Sequence, residues 1–265
     1  MSAHTPIRDA RLLEAATSLA NARARRQPGP RVSETFALGS LGEAYQVQAA
    51  GMQHALAQGR RLSGAKAGLT SAALRAALKV EEPLYGWLFA DTACRSGEII
   101  DWQRLLQPKV EIELALLLIA DLPTGEISRE QLLASIAGVV PALEINDSAI
   151  SGWQLTLLDA VADNLSSGLY VLGDQPVPLA QLDGQTLLGT LLCNGQPLRT
   201  EVAIVLEDVL TTALWLVQKM TTLGQPLRAG DVLLTGALAP IAAVAAGDQL
   251  RFQVTGLGEV NCAFS

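Results

Sequence analysis

The sequence predicts an α+β protein, a helical N-terminal part followed by a mostly β core. Three observations carry this. Apolar residues in the first third recur at helical spacing. After Pro83, short apolar runs punctuated by Gly, Pro, Asp and Asn take over. The 265 residues, 49% hydrophobic and 17% charged, suffice for one large domain or a core with a smaller cap. The division is expected near residue 75, with a helical subdomain at 1–75 and the β core at 76–265.

The stretch "IRDARLLEAATSLANARARR" reads as a helix that "QPGPR" breaks. "SLGEAYQVQAAGMQHALAQGR" opens on Ser40 and Glu43, a capping-box pattern, and predicts a second helix. "RLSGAKAGLTSAALRAALKV" predicts a short strand, a turn at Gly68, and a helix capped by Thr70 or Ser71. Strands are expected in "VEIELALLLIA", "VVPALEIND", "LYVLG", "TLLGTLLCNG", "VLLTGAL" and "QLRFQVTGLG". Two helices interrupt them. "SREQLLASIAG" carries Ser128 and Gln131 as a capping box, and "IVLEDVLTTALWLVQKMTTLG" stops at Gly224 with Pro226 beyond.

Composition excludes several functions. A net charge of −7 argues against nucleic acid and against an anionic membrane surface as partners. The longest apolar runs are too short to span a bilayer. The N-terminal run lacks a basic stretch followed by an apolar one, so a cytoplasmic protein is expected. The three cysteines, Cys94, Cys193 and Cys262, are odd in number and widely spaced, so they are expected to be reduced. With two histidines only, His4 and His54, a His-based triad or metal site is not expected. Chemistry must come from carboxylates, lysine, hydroxyls and backbone.

"PKVEIELALLL" offers carboxylates. On a strand, Glu111 and Glu113 face the same way, with Ile112 opposite. Glu144 sits in a second apolar segment, "VVPALEIND". Unpartnered buried carboxylates are costly, and like charges push one another's pKa up. A hard divalent cation such as Mg²⁺ or Mn²⁺ relieves both costs. The alternative reading is a solvated edge ahead of the buried strand. Lys66, between small residues in "SGAKAGLTS", is either a surface lysine or one that reaches into a cavity to move protons. The helix start at Thr70 and Ser71 is a candidate for a substrate carboxylate. Asp163, Asn164, Ser166, Ser167 and Gly168 form a polar turn, which is either a plain turn or a site wall.

These stretches in this order resemble the hydratase/decarboxylase branch of the fumarylacetoacetate-hydrolase superfamily. "KAGLTS", "EPLYGWLF", "QPKVEIELALLL", "PALEINDSAI", "VADNLSSGLYVLG" and "GLGEVNCAFS" carry the resemblance, which is collinear over nearly the whole chain. It implies a mixed β-barrel-like core. It also implies Glu111, Glu113 and Glu144 as ligands of Mg²⁺ or Mn²⁺, and Lys66 as the catalytic lysine. Thr70, Ser71, Leu84, Ser166, Ser167 and Thr235 become the substrate-binding residues. The implied substrate is a small 2-oxo or 2-hydroxydienoic acid from aromatic meta-cleavage, and the implied reaction is that of a 2-oxopent-4-enoate hydratase. The alternatives are a 4-oxalocrotonate decarboxylase, a related tautomerase, or a non-catalytic partner subunit. Homo-oligomers are implied, with a paralogous hydratase or decarboxylase subunit as an alternative partner. The chain departs from the family pattern at Leu84, where an acidic residue is usual. It departs again at Ala149, where arginine is usual, and at Leu206–Val209, "LEDV". Leu84 favours decarboxylation or tautomerisation, because leucine cannot hold water.

Overall fold

A computed structural model describes residue 7, residues 9–182 and residues 184–265. His4 lies outside the described residues. Helices α1 (Ala10–Arg25), α2 (Val32–Thr35) and α3 (Leu41–Ala57) come first. Strand β1 (Leu62–Gly68), helix α4 (Ala72–Leu78) and strand β2 (Leu84–Phe89) follow. Short strands β3 (Ala93–Arg95) and β4 (Glu98–Ile100) precede the long β5 (Pro108–Leu118). Then come α5 (Arg129–Ser135), β6 (Ile136–Asp147), α6 (Leu157–Ala162), β7 (Ser167–Leu172) and α7 (Leu179–Leu182). The chain closes with β8 (Leu187–Cys193), β9 (Gln196–Ile204), α8 (Leu206–Thr222), β10 (Val232–Leu234), β11 (Ala242–Ala243), β12 (Gln249–Val254) and β13 (Gly258–Phe264).

Two sheets result. The larger runs β2–β1–β10–β5–β6–β7–β3, with β11 beside β5, and the smaller runs β4–β13–β12–β8–β9. The larger is mixed, since β1 pairs parallel with β10 and antiparallel with β2. Strand alternation sorts its side chains. Val110, Ile112, Leu114 and Leu116 of β5 enter the main core with Leu143 and Ile145 of β6 and the apolar face of α8. On the opposite face Ala115, Ala142, Leu88, Tyr170 and Leu234 form a small separate cluster, all of it buried, so the sheet curls over it. Each of these fully buried leucines contributes roughly 1.5–3 kcal/mol. The helices build a third cluster, in which Leu12 and Leu19 of α1 meet Ala44 and Val47 of α3. Among the described residues no helix is long and apolar enough to cross a membrane.

Several details differ from the sequence reading. Strand β1 lies before residue 75 but pairs with β2 beyond it, so a division at 75 cuts that hairpin. Strand β2, "LYGWLF", is unanticipated because every residue is buried and it shows no alternation. Ser71, not Thr70, caps α4, its side chain accepting the Leu74 N–H. Ser40 caps α3, but Glu43 does not close the box. Its carboxylate accepts instead from the Gly39 N–H at 2.6 Å and from Arg11. The Ser128 and Gln131 box forms fully, and α5 ends at Ser135 because β6 begins at once. The cysteines are all free, with Cys94 and Cys262 buried.

Candidate carboxylate and lysine site

Two adjacent antiparallel strands set the centre. Glu111 of β5 stands directly opposite Glu144 of β6, and Glu113 opposite Ala142. Directly opposed side chains on one sheet face are neighbours. Oxygens of Glu111, Glu113 and Glu144 all lie within 4.8 Å of one another. Glu113 and Glu144 are each 1% exposed, so the solvated-edge reading fails for them. Lys66 of β1 is 2% exposed, not a surface lysine. Its Nζ donates to Glu144 Oε1, to Asn146 Oδ1 at 3.1 Å and to the Leu165 carbonyl at 3.3 Å. Three acceptors use the three protons of an ammonium.

Asn146 ties the set together. Its Nδ2 donates to Glu111 Oε2 at 2.8 Å while its Oδ1 faces Lys66. The sequence reading missed it. The signal was present, since Asn146 is two residues from Glu144 on the same strand face. Glycines give the close approach. A Cβ on Gly86, opposite Lys66 in β2, would sit 3.1 Å from both Lys66 Cγ and Asn164 Oδ1. Gly236 has φ of +97°, which favours glycine, and its N–H donates to Glu113 Oε2 at 2.8 Å.

The electrostatics are those of crowded anions. Burial first, then Glu144 and Glu111, holds the Glu113 carboxyl well above the ordinary carboxylate range. Burial and Glu144 likewise raise Glu111, opposed by Lys66 and the Asn146 N–H. Glu144 Oε2 is buried with no hydrogen-bond partner, and so is Ser166 Oγ one residue from the carbonyl that binds Lys66. Two unsatisfied oxygens and a surplus of negative charge are what a hard cation with an oxygen-rich ligand would relieve, so these residues fit a divalent metal.

The other predicted residues divide. Asn164, Leu165 and Ser166 all have φ near +53°, an unusual left-handed run that turns the Leu165 carbonyl to Lys66. Asn164 is spent on structure, its side chain bonding both N–H and C=O of Trp87. Leu84 is 5% exposed and sits with Val80 and Ala149, with Leu69 and Leu165 packed against them. It follows the face of Lys66, because Gly86 and Leu84 alternate in phase on β2, and it adds an apolar wall. Ala149 is buried in the same cluster. Thr70 packs against Gly236, and Thr235 Oγ1 donates to the Leu114 carbonyl at 2.9 Å. The exposed Ser71 is occupied as a cap. Ser167 does not join Ser166: it lines a cavity whose walls include none of Glu111, Glu113, Glu144 and Ser166. Leu206–Val209 begins α8, with Val209 in the main core and Glu207 paired to Arg129 on the surface.

An α+β protein with a curled mixed sheet and a buried carboxylate–lysine centre is thereby defined. The chain belongs to the fumarylacetoacetate (FAA) hydrolase C-terminal family, which matches residues 45–265. It is 42% identical over 234 residues, covering 88% of this chain and 89% of the relative, to 2-keto-4-pentenoate hydratase 1 of Dechloromonas aromatica (strain RCB). It is 44% identical over 226 residues to the TodF product hydratase of Pseudomonas putida F1, covering 85% and 84% of the two chains. Its fold matches that of the 4-oxalocrotonate decarboxylase from Pseudomonas putida G7, complexed with magnesium and adipate. The TM-score is 0.87 at 29% identity, covering 98% of this chain and 99% of that one.

Proposed function

We propose that the chain is a divalent-metal-dependent lyase that hydrates a small 2-hydroxydienoic acid, 2-hydroxypenta-2,4-dienoate in the first instance. The observation that carries this is the clustering of Glu111, Glu113 and Glu144 around Lys66. Similarity to hydratases over most of the chain supports the reaction. Glu111, Glu113 and Glu144 would hold the cation, Mg²⁺ or Mn²⁺ by the hardness of an all-oxygen set. When bound, it supplies Lewis-acid polarisation of a 2-oxo group.

The chain's own residues do the rest. Lys66 Nζ sits beside the carboxylates with three acceptors around it, a place from which it can pass a proton to a substrate carbon or oxygen. Asn146 fixes Lys66 relative to Glu111, so that position does not depend on rotamer chance. Ser166 Oγ offers an uncommitted hydroxyl to a ligand. Leu84, Leu69 and Leu165, packed in the apolar cluster of the N-terminal helices, keep water from that side. Small 2-oxo acids would enter a cytoplasmic homo-oligomer, or a mixed assembly with a paralogous subunit.

Leu84 favours a second reading, decarboxylation of 4-oxalocrotonate, since an apolar wall protects an electron-rich carbon from water. The purified protein with Mg²⁺ is mixed with each acid and its products followed by NMR. Hydrated product from the dienoate supports the first reading; CO₂ release from 2-oxohex-3-enedioate in its place supports the second. Turnover of neither, or turnover undiminished by Glu113→Ala, refutes both.

A further inference from the structure

Lys66 Nζ takes two of its three acceptors, Glu144 and Asn146, from β6, and the third, the Leu165 carbonyl at 3.3 Å, from the turn before β7. In that turn Asn164, Leu165 and Ser166 hold φ of +53°, +53° and +54°. Left-handed residues normally occur singly, and a run of three without glycine persists only where its surroundings fix it. Two anchors fix this one. Asp163, just ahead of the run, is gripped by Arg23 at 2.7 Å and by the Ala149 N–H at 2.9 Å. Asn164 is the second anchor. Its Oδ1 accepts the Trp87 N–H at 2.8 Å, and its Nδ2 donates to the Trp87 carbonyl at 2.9 Å. Strand β2 ends the larger sheet, so one side-chain amide stands there in place of a neighbouring strand.

Glycines let the turn lie against both strands. A Cβ on Gly86 would stand 3.2 Å from the Asn164 carbonyl oxygen as well as 3.1 Å from Lys66 Cγ, so Asn164 and the stem of Lys66 converge on one point. A Cβ on Gly68 of β1 would stand 2.9 Å from Leu165 Cδ1. Asparagine suits the anchor on two counts: it tolerates a left-handed backbone, and it carries both a donor and an acceptor. Aspartate has no donor for the Trp87 carbonyl, and glycine has neither group. We propose that Asn164 is a positioning residue for Lys66: its paired hydrogen bonds to Trp87 hold the Leu165 carbonyl where it orients Lys66 Nζ. The proposal rests on the reading of Lys66 as the residue that moves a proton. It adds to that reading a route by which the free edge of β2 sets the direction of the lysine.

The test uses the full-length protein and Asn164→Gly, which removes the anchor and leaves the left-handed backbone open to the chain. Reductive methylation read by mass spectrometry reports the accessibility of Lys66 without reference to turnover. Lys66 is buried, and its labelling relative to Lys79, Lys109 and Lys219 should rise about fivefold or more as the turn opens locally. Ser128→Ala, which removes the α5 cap, controls for plain loss of stability and should leave that ratio unchanged. With Mg²⁺ and the dienoate, Asn164→Gly should lower kcat about tenfold or more and leave KM unchanged, the signature of a misplaced proton donor. In a Lys66→Met background the same substitution should cost nothing further, because residues that act through one another are non-additive. Asn164→Asp keeps the bond from the Trp87 N–H, serves where glycine unfolds the turn, and should move both readouts the same way. Unchanged Lys66 labelling overturns the proposal, and so does a loss of kcat that is equal in both backgrounds. A wild type that does not turn over the dienoate removes the proposed function instead, and the labelling ratio still decides whether Asn164 holds Lys66.

Discussion

Replacing Glu113 with glutamine should stabilise the metal-free protein while destroying its response to metal. Glu113 is 1% exposed, and burial together with Glu144 and Glu111 holds its carboxyl well above the ordinary value of 4.5. Folding at neutral pH must therefore either protonate this group or bury its charge. Each pKa unit of perturbation corresponds to about 1.4 kcal/mol. Glutamine removes the charge and keeps an oxygen for the Gly236 N–H, which now meets Oε2 at 2.8 Å. Its amide NH₂ also brings donors toward Glu144 Oε2, which has no partner. The gain should be about 1–3 kcal/mol, with about 2–4 °C of melting temperature for each kcal/mol. Urea unfolding in a chelator measures it, and repeating the series with Mg²⁺ measures the response. Wild type should be stabilised by Mg²⁺ and Glu113→Gln should not. A variant less stable than wild type in chelator, or equally stabilised by Mg²⁺, would show that Glu113 is not a strained member of a cation site.

The remaining expectations concern the same centre. The Glu111 and Glu113 carboxyls are raised in the fold, so their stabilising contribution is present below the ordinary value of 4.5 and lost as pH rises through the raised values. Metal-free protein should thus melt at lower temperature as pH climbs toward neutrality, and excess Mg²⁺ should flatten that dependence; a metal-free profile that is flat or rises refutes the assignment. Lys66→Met should reduce turnover by about 10²–10⁴-fold, the range for a general acid or base, without weakening Mg²⁺ binding by calorimetry. If binding falls and the turnover of Mg²⁺-saturated protein does not, Lys66 serves the cation and not the substrate. Leu84→Asp should destabilise the fold by about 3 kcal/mol or more in urea unfolding, since it places a charge in a 5% exposed apolar cluster. Wild-type stability in that variant would mean the position is wet.

The candidate site was more legible than the strand order. Glu111 and Glu113 could be read from alternation alone, because Ile112 between them belongs to the core. Glu144 and Lys66 needed the family resemblance, since nothing local brings β1 and β6 together. They meet through β10 and β5, pairings set by register across distant segments. Asn146 was legible in principle by the same alternation as Glu113, since it lies in the expected strand "VVPALEIND", but it was not singled out. Ser167 parts from Ser166 because the chain changes direction there and β7 begins immediately: Ser166 Oγ is buried without a partner, while Ser167 lines a cavity that Ser166 does not. Strand β2 was missed for a physical reason: it is buried along its whole length, and alternation vanishes where both faces are covered.

The core also explains why the carboxylates stand where they do. A slip of β5 by one residue against β6 would turn every side chain over. Val110, Ile112, Leu114 and Leu116 would leave the main core, and Glu111 and Glu113 would enter it beside Leu143 and Ile145. Losing four buried aliphatic side chains costs about 6 kcal/mol or more, and burying two carboxylates among leucines adds several more. Lys66 and Asn146 offset part of the repulsion among the three glutamates in the native register. The apolar face of β5 thus fixes the polar one, and a one-residue slip that moved the carboxylates would strip that face from the core.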